Sequence, residues 1–220
     1  MTRRFLFGLG VGLLALSLGG TESRAGTVTL ASLIGPPPTS ITVDGLTFDN
    51  FSYSATGTMP TAALINVNFP ILAGGAVGIE FQAQFTASAN LRGNDATIQY
   101  SVTGTGITDV YMAGNPNVNG GTGTAEVVET VFAGNPPVGP AIAQISINDS
   151  NPPNSLTAQA NFTPESSITV VKDISLTGGS LGADISFIQQ TFSVPEPTSM
   201  ALLGIGLSGL FTFRRFLRRI

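Results

Sequence analysis

The chain has no cysteine, no histidine and no tryptophan. Without cysteine there is no disulfide staple, so the long middle segment must be held by its own core. A segment of about 170 residues is large enough for that. Losing both cysteine and histidine also removes thiolate- or imidazole-bound zinc, Ser-His-Asp triads, Cys-His pairs and histidine general bases. An enzyme made from this chain would have to run on carboxylates or on Lys172. For stacking on sugars only three tyrosines remain beside phenylalanine. Tyr53 and Tyr100 fall on inward-facing positions of their strands, which leaves Tyr111 as the one platform near a loop.

Positive charge is scarce in the middle as well. Between Gly26 and Ser193 only Arg92 and Lys172 are basic, against eleven acidic residues, a net charge of −9 where the whole chain has −4. Such a surface repels nucleic acid and anionic lipid, which excludes both as partners of this segment. It tolerates cations and neutral polysaccharide, and it also simply keeps an exported domain in solution.

The missing arginines stand at the two ends. Arg3 and Arg4 precede an uncharged apolar run, Phe5 to Leu18, and then a polar stretch to Ala25. Ser23 and Ala25 put small residues at −3 and −1 of a cut after Ala25. This pattern predicts a secretory signal peptide over 1–25, an N-terminal signal helix too short for a comfortable membrane span. Arg3-Arg4 with Phe5-Leu6 faintly resembles a twin-arginine signal, but two arginines open many ordinary signals, so the general export route is the expectation.

Between the ends the hydrophobic period is two. Phe81, Ala83, Phe85 and Ala87 alternate with Glu80, Gln82, Gln84 and Thr86; Ile98, Tyr100 and Val102 alternate with Thr97, Gln99 and Ser101. Nine further runs read as strands: Thr27–Ile34, Leu46–Ala55, Ala63–Phe69, Ile107–Ala113, Thr124–Ala133, Ala141–Asn148, Leu156–Phe162, Ser167–Leu176 and Ala183–Val194. No stretch of 26–193 predicts a helix. The fold class expected is all-β, an antiparallel β-sandwich, jelly-roll-like or Ig-like.

One run changes phase. Leu46 and Phe48 share one parity, Phe51 and Tyr53 the other, and one extra residue at Asp49-Asn50 restores a single apolar face. A β-bulge is expected there. Asp44, Asp49 and Asn50 could also gather calcium, but no Asp-x-Asp-x-Asp-Gly loop supports it. Glu126 and Glu129 lie three apart in a strand and point to opposite faces, wrong for a cooperating acid pair. Asp173 and Asp184 could converge from neighbouring strands no better than any two acids. No catalytic residue is assigned, and no cofactor. Ala113-Gly114-Asn115-Pro116 recurs as Ala133-Gly134-Asn135-Pro136, which reads as one turn chemistry used at two strand ends.

The last stretch, 194–220, has three parts. Val194-Pro195-Glu196-Pro197 is extended and helix-breaking. An uncharged run, Thr198 to Phe213, follows, then Arg214, Arg215, Arg218 and Arg219 around Phe216 and Leu217. A helix over 198–213 covers roughly 24 Å, short of a ~30 Å hydrocarbon slab but able to span it if arginine stems snorkel. The arginines would hold that end in the cytoplasm and leave 26–193 outside. Gly204-Ile205-Gly206-Leu207-Ser208-Gly209 satisfies the dinucleotide pattern but lies inside this run, without the strand that pattern needs.

This tail resembles the PEP-CTERM sorting signal of bacterial exported proteins. The resemblance implies an exosortase as partner, recognition through Pro195, Glu196 and Pro197, a transient membrane anchor, and removal of the tail near those residues. It also implies a producer of exopolysaccharide, hence a place at the cell surface or in a biofilm matrix. Three function classes fit the sequence. The first is a non-enzymatic exported β-module sorted by its tail, the second a glycan- or calcium-binding surface module, the third a carboxylate-only hydrolase.

Overall fold

Valine, isoleucine, threonine and phenylalanine recur at every second position between the two ends, and those residues fit a pleated, half-buried surface. Among the described residues the chain answers with eleven strands. The computed structural model describes residues 26–71, 76–90, 93–120, 122–150 and 154–193. The signal segment, the sorting residues, the arginine cluster and the helix expected over 198–213 lie outside them. Among the described residues no helix is long and apolar enough to cross a membrane.

In chain order the elements are β1 (Val28–Thr29), α1 (Leu30–Ile34), β2 (Ile41–Val43), β3 (Leu46–Ala55), a 3₁₀ turn (Ala62–Leu64), β4 (Asn66–Asn68), β5 (Val77–Ala87), β6 (Asn94–Gly114), β7 (Asn117–Val118), β8 (Thr124–Ala133), β9 (Val138–Asp149), β10 (Thr157–Thr177) and β11 (Ala183–Phe192). The strands join in the order β1-β4-β5-β11-β6-β10-β8-β9, with β2–β3 attached to β6 and β7 to β11. Every pairing is antiparallel.

The strip closes over itself because two long strands serve both layers. β6 and β10, each 21 residues, pair along almost their whole length. The first half of β6 lies between β3 and the second half of β10, which continues to β8 and β9. Its second half lies between β11 and the first half of β10, with β5 and β4 beyond. The two layers meet through aromatic rings. Phe48 of β3 packs at 5.9 Å on Phe192 of β11, and Tyr100 of β6 at 5.7 Å on Phe81 of β5. This is the antiparallel sandwich that the alternation predicts.

Four expectations need correction in detail. Ile107–Ala113 is not a separate strand but the continuation of β6, and Leu156–Phe162 and Ser167–Leu176 are one strand, β10. The break signals were real: the register slips between Asn161 and Glu165 and again before Ser167, around Pro164. A sheet absorbs such a residue as a bulge instead of ending. The run Thr27–Ile34 turns helical after Thr29, whose hydroxyl accepts from the Ser32 N–H while Leu30 and Leu33 are buried. One turn of helix is too short to register as a 3.6 period. The repeated Ala-Gly-Asn-Pro also divides its roles: Gly134 to Pro136 form the β8–β9 turn, whereas Asn115 does something else, described below.

The bulge expected at Asp49-Asn50 is present. The β3–β6 register slips between Asp49 and Ser52, Asn50 has a φ of 53°, and Leu46, Phe48 and Phe51 all point inward. Asp44 sits in the tight β2–β3 turn, its φ at 45°.

Tyr53, farther along β3, donates its hydroxyl to the Pro60 carbonyl at 2.6 Å. Burial pushes this phenol up to about 12 from 10.0. A raised folded value means stability that is complete below pH 10 and drains away as the pH climbs to about 12. Tyr100 shifts the same way, so the slope is shared. Denaturant titrations of Tyr53→Phe between pH 9 and 12 are expected to show a shallower decline than the parent chain, a window following from the folded and unfolded phenol values. An unchanged slope would remove Tyr53 from that account.

Candidate functional site

The sorting tail grows from a pinned root. Ser193 follows the last residue of β11 and is itself exposed. Its N–H donates to Asp109 Oδ1 at 2.8 Å, and its carbonyl accepts from the N–H and hydroxyl of Thr108 at 3.1 and 3.2 Å. Both partners belong to β6, the strand shared by the two layers. Whatever pulls on the tail therefore pulls on the centre of the sandwich.

Behind that root lies a polar group in the core. β8 carries Ala125, Val127, Glu129 and Val131 on its inward positions, and β10 carries Ile168, Val170, Lys172, Ile174 and Leu176. Lys172 and Glu129 stand directly opposite one another across the β10–β8 ladder. Gln190 reaches them from β11 in the other layer. All three side chains are fully buried. Lys172 Nζ donates to Glu129 Oε2 and to Gln190 Oε1, while Gln190 Nε2 donates to Glu129 Oε1 at 2.6 Å. Tyr100 donates its hydroxyl to the same Gln190 Oε1 at 3.4 Å, and Met112 Sδ lies 3.7 Å from Nζ.

The electrostatics follow from that burial. Loss of hydration lowers the Lys172 ammonium below its ordinary 10.5, against the opposing pull of the Glu129 carboxylate. Tyr100 is driven well above 10.0 by burial first and by the Glu129 charge second. The group has no solvent exposure, and every polar atom of the Lys172, Glu129 and Gln190 side chains has a partner within it. A buried ion pair of this kind contributes little net stability compared with apolar packing.

An open cleft of about 380 Å³ lies at one end of β5 and β11, lined by Gln84, Thr86, Asn119, Leu181, Asp184 and Ser186 among others. Asp184 Oδ1 accepts from Asn117 at 2.9 Å and from Asn119 at 3.2 Å. Asn115 holds the neighbouring backbone: its Oδ1 accepts the N–H groups of Ser186 and Phe187, both at 3.0 Å, where β11 bulges against β5. A backbone bulge needs such a partner, and an asparagine following a strand is well placed to supply it.

The sequence-level candidates separate as follows. Glu126 and Glu129 do point to opposite faces, outward and inward. Asp173 is exposed, in register with Thr97 and Val128, while Asp184 sits beside Thr86 and Asn117, so the two do not meet. Asp49 is touched by the Asn50 amide at 3.2 Å, and burial raises its carboxyl above 3.8. Among the described residues no three acidic side chains gather as a metal site would require. Tyr111 lies half-buried in β6 between Gln159 and Thr191, within the sheet and not at a loop. What sequence reading missed is the meeting of Lys172, Glu129 and Gln190. Its trace was there: Lys172 and Glu129 each occupy the apolar parity of their strands.

Comparison with known proteins bears on the tail. Residues 193–219 match the PEP-CTERM protein-sorting motif. No curated protein matches the chain. Solved structures that resemble part of it include two of different kinds. A structure of TmCBM61 in complex with β-1,4-galactotriose aligns at a TM-score of 0.28 and 10% identity, covering 63% of this chain and 86% of that one. The enzymatically active domain of tailspike protein 4 from bacteriophage CBA120 aligns at 0.31 and 13% identity, covering 64% of this chain and 19% of that one.

Proposed function

We propose that this chain, which carries a PEP-CTERM protein-sorting motif, is a non-enzymatic exosortase substrate: an exported β-sandwich retained at the cell surface or in an exopolysaccharide matrix. The motif match over 193–219 is the observation that carries this reading. In it, residues 1–25 direct export and are removed after Ala25, 26–193 form the mature module, and 194–220 present the sorting signal. Pro195, Glu196 and Pro197 are read by the exosortase, the 198–213 helix holds the chain in the membrane until processing, and Arg214, Arg215, Arg218 and Arg219 fix its direction.

Two features of the module support the reading. Ser193, the first residue of the matched motif, is exposed. The net charge of −9 over 26–193 keeps the module off anionic lipid while allowing contact with neutral polysaccharide. The cleft around Asp184 gives the alternative of a glycan-binding module less support. Its carboxylate is already occupied by two asparagine amides, and no aromatic ring lines it.

The test is the mass of the protein recovered from the producing cell. A species running from about Gly26 to near Val194 is expected, with Glu196→Ala exported but retaining the arginine tail. Wild-type protein that keeps the tail would make 198–213 a permanent anchor. Normal maturation of Glu196→Ala would refute recognition through that glutamate.

A further inference from the structure

We propose that Lys172 and Gln190 become covalently joined, Lys172 Nζ displacing the side-chain amide nitrogen of Gln190 to form an isopeptide bond, with Glu129 carrying the protons. The proposal rests on three observations. An amine, a primary amide and a carboxylate touch one another pairwise. All three are shut away from water. They come from three different strands, β10, β11 and β8, so the fold itself brings them together and holds them at high effective concentration.

The chemistry balances without any further reactant. The Lys172 ammonium gives one proton to Glu129, leaving a free amine and a neutral acid. Desolvation favours that step, since it lowers the ammonium's affinity for its proton. Gln190 turns about its soft terminal torsion so that Cδ faces Nζ. A bond then forms from Nζ to Cδ, and the carbonyl electron pair moves onto Oε1, where the Tyr100 hydroxyl already donates. Glu129 delivers its proton to Nε2 and takes one from Nζ. The Cδ–Nε2 bond breaks, the carbonyl re-forms, and ammonia departs. The product is one secondary amide, one ammonia and a Glu129 carboxylic acid. No oxidant, metal or outside nucleophile takes part.

The position of the link has a mechanical meaning. Lys172 and Gln190 are 18 residues apart, and Gln190 lies in the last strand, just ahead of the tail root at Ser193. A bond between them would tie β11 to the second half of β10, in the opposite layer, so that load entering through the tail could not peel β11 away alone. In a chain without cysteine it would serve as the missing staple.

Lys172 is the chain's only lysine, which makes the test direct. The full-length chain, purified in detergent, is measured intact and then denatured, treated with an amine-reactive label, and digested with chymotrypsin. The expected mass lies below the sequence value by about 17 Da, one ammonia. Lys172 should resist the label, and cutting at Leu176 and Phe187 should release a branched peptide joining the two residues. Gln190→Met keeps the ion pair but should restore the full mass and the labelling. Glu129→Gln should leave the residues unlinked or slow the loss of ammonia. A wild-type chain of full mass with a labelled Lys172 overturns the proposal. So does an ammonia loss mapped to Asn119-Gly120, where succinimide formation loses the same mass. A link that forms at the wild-type rate in Glu129→Gln would dismiss Glu129 as the proton carrier.

Discussion

Lys172→Met, made alone, is expected to destabilise the sandwich by about 3–5 kcal/mol, because it leaves a carboxylate buried with its counter-charge gone. Glu129 would retain only the Gln190 amide as a partner, in a site closed to solvent. The companion variant Lys172→Met/Glu129→Leu removes both charges and should be more stable than the single variant by most of that amount, since apolar side chains fill such a site at little cost. Neither variant can form the Lys172–Gln190 link, so the difference between them reports the buried charge alone. Urea titrations of the two chains decide the matter. If the single variant is as stable as the double, the carboxylate is not held charged in the core as described.

Phe48→Ala should cost a similar amount, about 3–5 kcal/mol, for a different reason. Phe48 is fully buried where the layers meet, its ring 5.3 Å from Phe69, 5.9 Å from Phe192 and 6.5 Å from Tyr100. Removing it opens a void that three rigid rings cannot collapse to fill, so transfer and cavity costs add. Leu181→Ala provides the contrast: that side chain is 66% exposed on the rim of the cleft and should change stability by no more than about 0.5 kcal/mol. Equal effects from the two substitutions would contradict this placement of the core.

How far each feature was legible depends on the range of the interaction behind it. The bulge at Asp49-Asn50 was written into β3 because a strand's facing rule acts between adjacent residues: Phe48 and Phe51 can share a face only if one residue is inserted. The strands Leu46–Ala55 and Thr124–Ala133 came out with their observed bounds for the same reason. The sorting tail was legible too, as a linear order of proline-bracketed glutamate, apolar run and arginines that needs no partner strand to be seen. Glycine and proline misled where they stood inside β6 and β10, since a bulge and a strand end look alike locally. Helix α1 was hidden by its length.

By itself, then, the order of residues determined the period-two β character, the phase change in β3, the acidic middle and the form of the tail, because each of these is set by neighbours within a few positions. Only the tertiary structure decided that β6 and β10 run through both layers, that Asn115 secures a bulge in β11, and that Lys172, Glu129 and Gln190 touch. Those three residues lie 18, 43 and 61 positions apart in pairs, and a local pattern has no means of saying which strand pairs with which. Strand order brings them within bonding distance, and the dry interior gives the contact its chemistry.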